Sequence, residues 1–223
     1  MISLSSLSHA PLEPDADLIA HLAASGRPAI IHYTADDGRT ELSGRVAVNW
    51  ATKTTHLVDS YGIAAPDAIF VDVPVTWRSL VLALGVAWCD LACAADADDA
   101  DAILTDRPAD YLAAAAELFV THAESADASV VHVDEEVLSH ADQALLPVPE
   151  IIRHAVTDQP APSGVDIRSA GVVIRSHQLR LDAGLWWVII DAWRRSKPVV
   201  LVDAADDAQL QRIIETERLS SAQ

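Results

Sequence analysis

The chain reads as an α/β protein, a layered and largely parallel sheet flanked by helices. Three observations lead there. Short runs rich in β-branched and aromatic residues, PAIIHY, AIFVDV, AILT, SVVHV, GVVIR and PVVLV, alternate with stretches of helical spacing. Several of these runs are continuously apolar, as strands covered on both faces are. Over 223 residues, 51% apolar and only 22% charged content is enough for a sizeable core. With right-handed crossovers in a single sheet, the strand at 171–174 is expected beside the strand at 68–73 or one of its neighbours.

In chain order, PAIIHY and the TADDGRTELS that follows predict a hairpin turning at Asp37-Gly38. Ser43 then caps a helix with Val46, Trp50, Leu57 and Tyr61 on its buried stripe, ending at Gly62. AIFVDV is a strand closed by Pro74, and the helix from Trp77 to Leu91 is apolar nearly all round, which predicts burial between layers. Cys89 and Cys93 lie within this run and are expected on one helix face as core packing; two thiols make half a zinc site. AILT is the next strand, and PADYLAAAAELF predicts a helix opening at Pro108. SVVHV and GVVIR are strands, and Ser176 is expected to cap a helix carrying Leu179, Ala183, Trp186, Ile190 and Trp193. PVVLV is a buried strand, and the closing helix opens near Asp206 with Leu210, Ile213 and Ile214 inward.

The expected organisation is an N-terminal extension over 1–25, one α/β domain over 26–219 and a tail over 220–223. Pro147, Pro149, Pro160 and Pro162 mark an irregular excursion at about 141–168. MISLSSLSHAPLEPDAD has no basic residue leading into an apolar core, so a cytoplasmic location is expected. The longest apolar run, LVLALGVAWCDLACAA, is broken by Asp90 and is shorter than the roughly 20 residues of a spanning helix.

Charge excludes some partners. Lys and Arg number 15 against 33 Asp and Glu, a formal net of −18, and such a field repels nucleic acid and anionic membranes. The acidic stretch at 94–110 reads as a solvated loop. No G-x-G-x-x-G, G-x-x-x-x-G-K-[ST] or G-x-S-x-G occurs, and Lys53 and Lys197 are the two lysines of the chain. His122, His132 and His140, with Asp134, Glu135 and Glu136, lack the i, i+4 spacing of a helical chelate and read as ordinary polar positions, as do His32 and His56. No metal site is expected. Trp186-Trp187 sets two rings about 100° apart on one helix, a packing arrangement.

The segment GRTELSGRVAVNWATKTTHLVDSYGIAAPDAIFVDVPVTWRSLVLALGVAWCDLACAAD resembles the opening of the adenylate-forming superfamily, the AMP-binding or acyl-CoA synthetase-like enzymes. A second block, SAGVVIRSHQL, is similar to the family's V-x-x-T-H-x-x-L unit, with Gly171 and His177 in register. A third, LWWVIIDAWRRSKPVVLVDAADDAQLQRIIETERLS, follows the same order of helix, strand and helix. The blocks cover about 26–106 and 169–219. In the family a Ser/Thr/Gly loop ending in Pro-Lys-Gly precedes the second block; here DQPAPSGVDIRSA stands in its place.

The resemblance implies the fold of the family's N-terminal subdomain, ligand-binding roles for Gly171 and His177, and no catalytic residue. The departure at the phosphate loop, one glycine and two prolines where the family has a flexible loop and a lysine, leads to the expectation of a shortened relative that does not adenylate by itself and needs no cofactor. A small acyl or nucleotide-like ligand, a protein partner and self-association as a homodimer are the expected interactions. The alternative is an ATP- and magnesium-dependent enzyme that activates carboxylic acids with a degenerate phosphate loop and His177 near the acyl group. An unrelated α/β ligand-binding module is a third reading.

Overall fold

Two five-stranded sheets form where the sequence predicts one. The computed structural model describes residues 17–125, 127–143, 162–177, 179–203 and 206–219. The first sheet runs in the order β2 (Arg39–Ser43), β1 (Pro28–Tyr33), β10 (Val199–Val202), β9 (Val172–Arg175) and β8 (Val165–Ile167). Its three central strands are parallel and its two edges antiparallel. The second sheet, β4 (Ala92–Cys93), β3 (Ala68–Asp72), β5 (Ala102–Thr105), β6 (Glu117–Val120) and β7 (Val130–His132), is parallel throughout. β9 therefore does not lie beside β3 or its neighbours. Both edges of β3 are taken by β4 and β5, and both edges of β9 by β10 and β8.

Side-chain oxygens open the helices. Asp17 caps α1 (Leu18–Ala24), Ser43 caps α2 (Gly44–Ser60) and Thr76 caps α3 (Trp77–Trp88). A four-residue α4 (Val133–Glu136) follows β7 directly. Asp182 caps α5 (Ala183–Arg194), accepting from the Leu185 amide at 2.8 Å, and Asp206 caps α6 (Asp207–Thr216). α1 lies in the stretch read from the sequence as an extension, yet it buries Leu18, Ile19 and Leu22 in the main core.

That core is shared. It joins Ile30, Ile174 and Leu201 of the first sheet to Ile69, Leu104 and Phe119 of the second through the apolar faces of α1, α2, α3 and α5. Trp193 is at its centre, its indole N–H donating to the Ala29 carbonyl at 3.0 Å, with Trp186 edge-on to it at 6.0 Å. Trp186 and Trp187 both pack against this core. The outer face of the first sheet, Ile31, Val173, Val200 and Val202, is covered by Ile213 and Ile214 of α6. Over the outer face of the second sheet lie Ala97, Ala100, Tyr111, Ala114 and Ala116.

Several local expectations change. PADYLAAAAELF is not a helix: Pro108–Asp110 makes a single 3-10 turn, and Glu117–Val120 joins the second sheet as β6. Leu118, Phe119 and Val120 are buried there, and that burial outweighs the helix propensity of the alanines. α3 stops at Trp88, so Cys89 is buried at its C-cap while Cys93 is exposed on β4. Ser176 does not open α5, because a turn and a β-bridge intervene between β9 and Asp182. On α2, Val46 and Tyr61 are exposed, and the buried stripe runs through Ala47, Ala51, Thr54, Thr55 and Val58. Most of the irregular excursion lies outside the described residues. No helix among those described is long and apolar enough to cross a membrane.

One joint ties the two sheets together beyond β3 and β9. The Leu181 amide donates to the Val73 carbonyl at 3.0 Å and the Val75 amide to the Leu179 carbonyl at 3.1 Å, flanking a bridge between Pro74 and Arg180. The Arg180 guanidinium donates to the Asp72 carboxylate and carbonyl and, at 2.5 Å, to Asp106. Arg107 and the Tyr111 hydroxyl, the latter at 2.7 Å, complete the shell around Asp72. Burial by itself pushes the Asp72 carboxyl up; the bonds from Arg107, Tyr111 and Arg180 outweigh it and hold the group below its ordinary value.

Four outcomes are expected from these contacts and from the packing of α3. Arg180→Ala leaves the buried Asp72 short of a partner and costs about 2 kcal/mol in urea unfolding, less than the roughly 3–5 of a fully buried pair because Arg180 is 34% exposed. The stability that Asp72 contributes is complete above the ordinary carboxylate pKa of about 3.9 and is lost as pH falls through its lowered value, so Asp72→Asn flattens the acid limb of the stability profile below about pH 4. A Cβ on Gly85 would stand 2.4 Å from Thr54 Cβ and 2.6 Å from the Ala51 carbonyl, so Gly85→Ala lowers stability by about 1–3 kcal/mol; a variant as stable as wild type would show that α2 and α3 can move apart. Burial, helped by Asp59, pushes the Cys89 thiol up to about 12. Iodoacetamide at pH 8 is expected to add one label to the folded chain, at Cys93, and a second only after denaturation.

Candidate functional site

In α/β sheets ligands bind in crevices outside the carboxyl ends of the parallel strands, so polar residues found there are candidates for a site. Three such residues stand on neighbouring strands of the first sheet: His32 on β1, Ser176 just after β9 and Asp203 just after β10. Asp203 Oδ1 pairs with His32 Nε2 at 2.7 Å and accepts from the Ser176 hydroxyl at 2.8 Å. His32 and Ser176 are each only 3% exposed, whereas the Asp203 side chain is 28% exposed. Two buried groups thus hold one oxygen of a carboxylate that reaches solvent. His32 Nδ1 is buried without a hydrogen-bond partner.

At the same end of the sheet, on the side covered by α6, a cleft of about 560 Å³ is lined by Arg175, His177, Val202, Asp203, Asp206, Gln209 and Leu210. Its floor and far wall are the end of β10 and the first turns of α6, where Asp206 Oδ1 accepts from the Gln209 amide at 2.7 Å. Arg175 donates to Asp207 at 3.0 Å, and the Gln209 side chain donates to Asp37 at 3.3 Å. Leu210, half-buried, supplies apolar surface beside these polar groups, and Val202 lies beneath α6.

The structure separates the two residues that the resemblance implicates. His177 is exposed on the cleft. Gly171 is at the other end of β9, six positions and about 20 Å away along an extended strand. A Cβ there would meet Leu219 Cδ2 at 2.7 Å and the Pro198 carbonyl at 3.0 Å, so glycine admits a close backbone approach. The segment before it, from Val165 on, is half of a hairpin: β8 pairs antiparallel with β9, and the Arg168 amide closes the turn onto the Gly171 carbonyl at 2.9 Å. The beginning of the replaced loop, residues 158–161, lies outside the described residues.

The histidines of the weak metal pattern are engaged apart from one another. His122 Nε2 meets the Thr76 hydroxyl at 2.9 Å, and its amide donates to Asp134; His132 Nε2 meets the Ser125 carbonyl at 3.1 Å; the His140 carbonyl accepts from Lys53. Among the described residues no group of three or more His, Cys, Asp or Glu side chains is placed to hold a metal ion. Asp203 was not singled out by the sequence reading, His32 was read as an ordinary position, and Arg175 was named with Arg168 only as a stand-in for the cation of the missing phosphate loop. The available signal was a polar residue within or directly after a continuous apolar strand, as in PAIIHY and PVVLVD.

No protein-family model and no curated protein matches the sequence. Solved structures do. An acyl-CoA synthetase of Brucella canis matches with a TM-score of 0.69 at 13% identity, over 98% of this chain and 48% of that one. The N-terminal domain of FACL13 from Mycobacterium tuberculosis matches with a TM-score of 0.63 at 13% identity, over 91% of this chain and 60% of that one. The amide bond synthetase McbA from Marinactinospora thermotolerans matches with a TM-score of 0.61 at 15% identity, over 91% of this chain and 46% of that one. The chain spans between about half and three-fifths of the length of these proteins, and it has the fold they share over that span, the one that the resemblance to adenylate-forming enzymes implies.

Proposed function

We propose that the chain is a small-ligand-binding module built on this fold, without adenylation activity of its own. The observation that carries the reading is the β8–β9 hairpin. Gripping a triphosphate takes several free amide donors in a nest and an opposing cation. Here the amide of Arg168 is spent on the hairpin turn, that of Val165 on the Pro162 carbonyl and that of Arg175 on the Gly164 carbonyl. The nearby cations are spent as well: Arg168 pairs with Asp166 at 2.5 Å, and Lys197 donates to the Arg168 carbonyl at 3.2 Å. Without such neutralisation, attack of a carboxylate on an α-phosphate loses the electrostatic stabilisation that supplies most of the rate.

The ligand is assigned to the cleft beside His177, which has the volume and the mixture of apolar wall and convergent polar groups that small-molecule sites have. Gly171 enters the proposal as a packing position at the far end of β9. Large exposed apolar side chains among the described residues are few, Val46 and Tyr61 at the two ends of α2 with Leu112, Leu138 and Ile167, and the cleft favours a small ligand over a protein partner or a second copy.

Incubation with ATP, magnesium and a panel of carboxylic acids is expected to give no pyrophosphate exchange above a protein-free blank. Exchange with any acid would favour the ATP-dependent alternative, and its loss in His177→Ala would give that residue its role.

A further inference from the structure

Away from the cleft, one segment is held to the protein by donors borrowed from a helix. Residues 137–143 follow α4 and make a single 3-10 turn, Val137–Ser139, rather than joining either sheet. Val137 is fully buried in the main core with Val133, Leu57 and Phe119, whereas Leu138, Ser139, Ala141, Asp142 and Gln143 are exposed. The carbonyls of this strap are answered from α2. Lys53 Nζ donates to the Leu138 carbonyl at 3.3 Å and to the His140 carbonyl, and His56 Nε2 meets the Gln143 carbonyl at 2.7 Å. A carbonyl only accepts, so the neutral His56 ring carries its proton on Nε2. At the near end the Tyr61 hydroxyl donates to Glu136 at 2.8 Å.

His140 joins this arrangement through its backbone, and its ring is half-buried among groups of its own sign. Facing the ring are Lys53 and His56 from α2 and Glu136 from α4. Asp142 in the strap is exposed, and Asp59, the one acid of α2, acts on Cys89 at the end of α3. Burial first, then His56 and Lys53, hold the His140 imidazole below its ordinary value, and Glu136 opposes them.

We propose that residues 137–143 form an acid-released clasp, docked on α2 while His140 is neutral and lifting when its ring takes a proton beside Lys53 and His56, which bares the seat of Val137 in the core. The sign follows from linkage. A strap freed from α2 has His140 at the ordinary value of about 6.5, and the docked strap holds it lower, so docking is at full strength above that pH and weakens as pH falls through it. A second proton on His56, at Nδ1, adds to the same repulsion. With one valine buried and most of its side chains in water, the strap has little apolar contact to resist it.

The test is amide hydrogen exchange of the whole chain at about pH 7.5 and about pH 5.5, corrected for the intrinsic pH dependence of exchange and read on 137–143, β1 and β10. The strap is expected to lose protection about threefold or more on acidification while β1 and β10 keep theirs. His140→Gln retains the carbonyl that Lys53 uses and removes the titrating ring, so its strap is expected to be equally protected at both pH values. Equal protection of the wild-type strap at both, a loss that β1 and β10 share in step, or a His140→Gln strap that still opens in acid would overturn the clasp. Should His140→Gln fail to fold, NMR titration of the wild type decides. The His140 ring is expected to titrate below about 6.5 with the strap amides following its midpoint; a midpoint at or above that value, or amides that do not follow, would overturn the proposal as well.

Discussion

Arg180 reaches from the first sheet to the end of β3 in the second, and the relation between the two sheets depends on what it finds there. Asp72 is buried, so its charge must be answered within the protein. Arg180 answers it on one side, Arg107 and Tyr111 on the other, and Arg180 goes on to Asp106 beyond β5. Each strand pairs only within its own sheet, and the ladder on either side of Pro74 and Arg180 is short. Apolar contact through the helices between the sheets is strong but non-directional. Directional bonds to a buried carboxylate select one arrangement of surfaces that would otherwise slide, and they hold the segment around Arg180, between β9 and α5, against the carboxyl ends of β3 and β5.

Between the sheets the helices are packed too closely for much variation. α3 is buried on almost every side, and Gly85 lets it settle onto α2 at Ala51 and Thr54. One helical layer serves two sheets, so apolar residues on α2, α3 and α5 cover inner faces of both. The outer faces are treated differently. α6 covers the first with Ile213 and Ile214, while the second is covered by irregular chain whose contribution is largely alanine. Small side chains let such chain lie close to a sheet without a helical radius to accommodate.

Strands and several helix starts were legible because their signals are local: continuous β-branched runs, and Ser43 or Asp206 placed before an amphipathic stretch. Pairing was not legible. The runs AIFVD and VVIR look equally at home in one sheet, and nothing in either says that the partner of β1 is β10 rather than β3. YLAAAAELF misled because propensity favours a helix across the alanines, whereas the apolar demand of Leu118, Phe119 and Val120 belongs to a strand. β8 was missed for a related reason: Val165–Ile167 is three residues with an aspartate in the middle, and its identity as a strand comes from pairing with β9. The cleft was half legible. His177 was found through a resemblance, while Asp203 and His32 needed the parallel order β1, β10, β9 to become neighbours.

A shared fold does not by itself carry a shared chemistry, and the edge strand β8 shows why. An identity of 13–15% to the solved synthetases is compatible with one architecture because layers of sheet and helix tolerate almost any apolar residue of suitable size. A phosphate-gripping turn tolerates much less, since it needs amides that point outward and are bonded to nothing else in the chain. A hairpin turns amides of the same stretch inward to a neighbouring strand, and a given N–H cannot serve both partners. The ordering of β8 against β9 and the binding of a triphosphate before β9 are therefore competing uses of one segment. This chain has strengthened the first use, with Asp166 neutralising Arg168 and the Arg168 carbonyl engaging Lys197. At the other end of β9 the cleft is lined by Arg175 and His177 beside Asp203 and Asp206, and Arg175 is paired with Asp207.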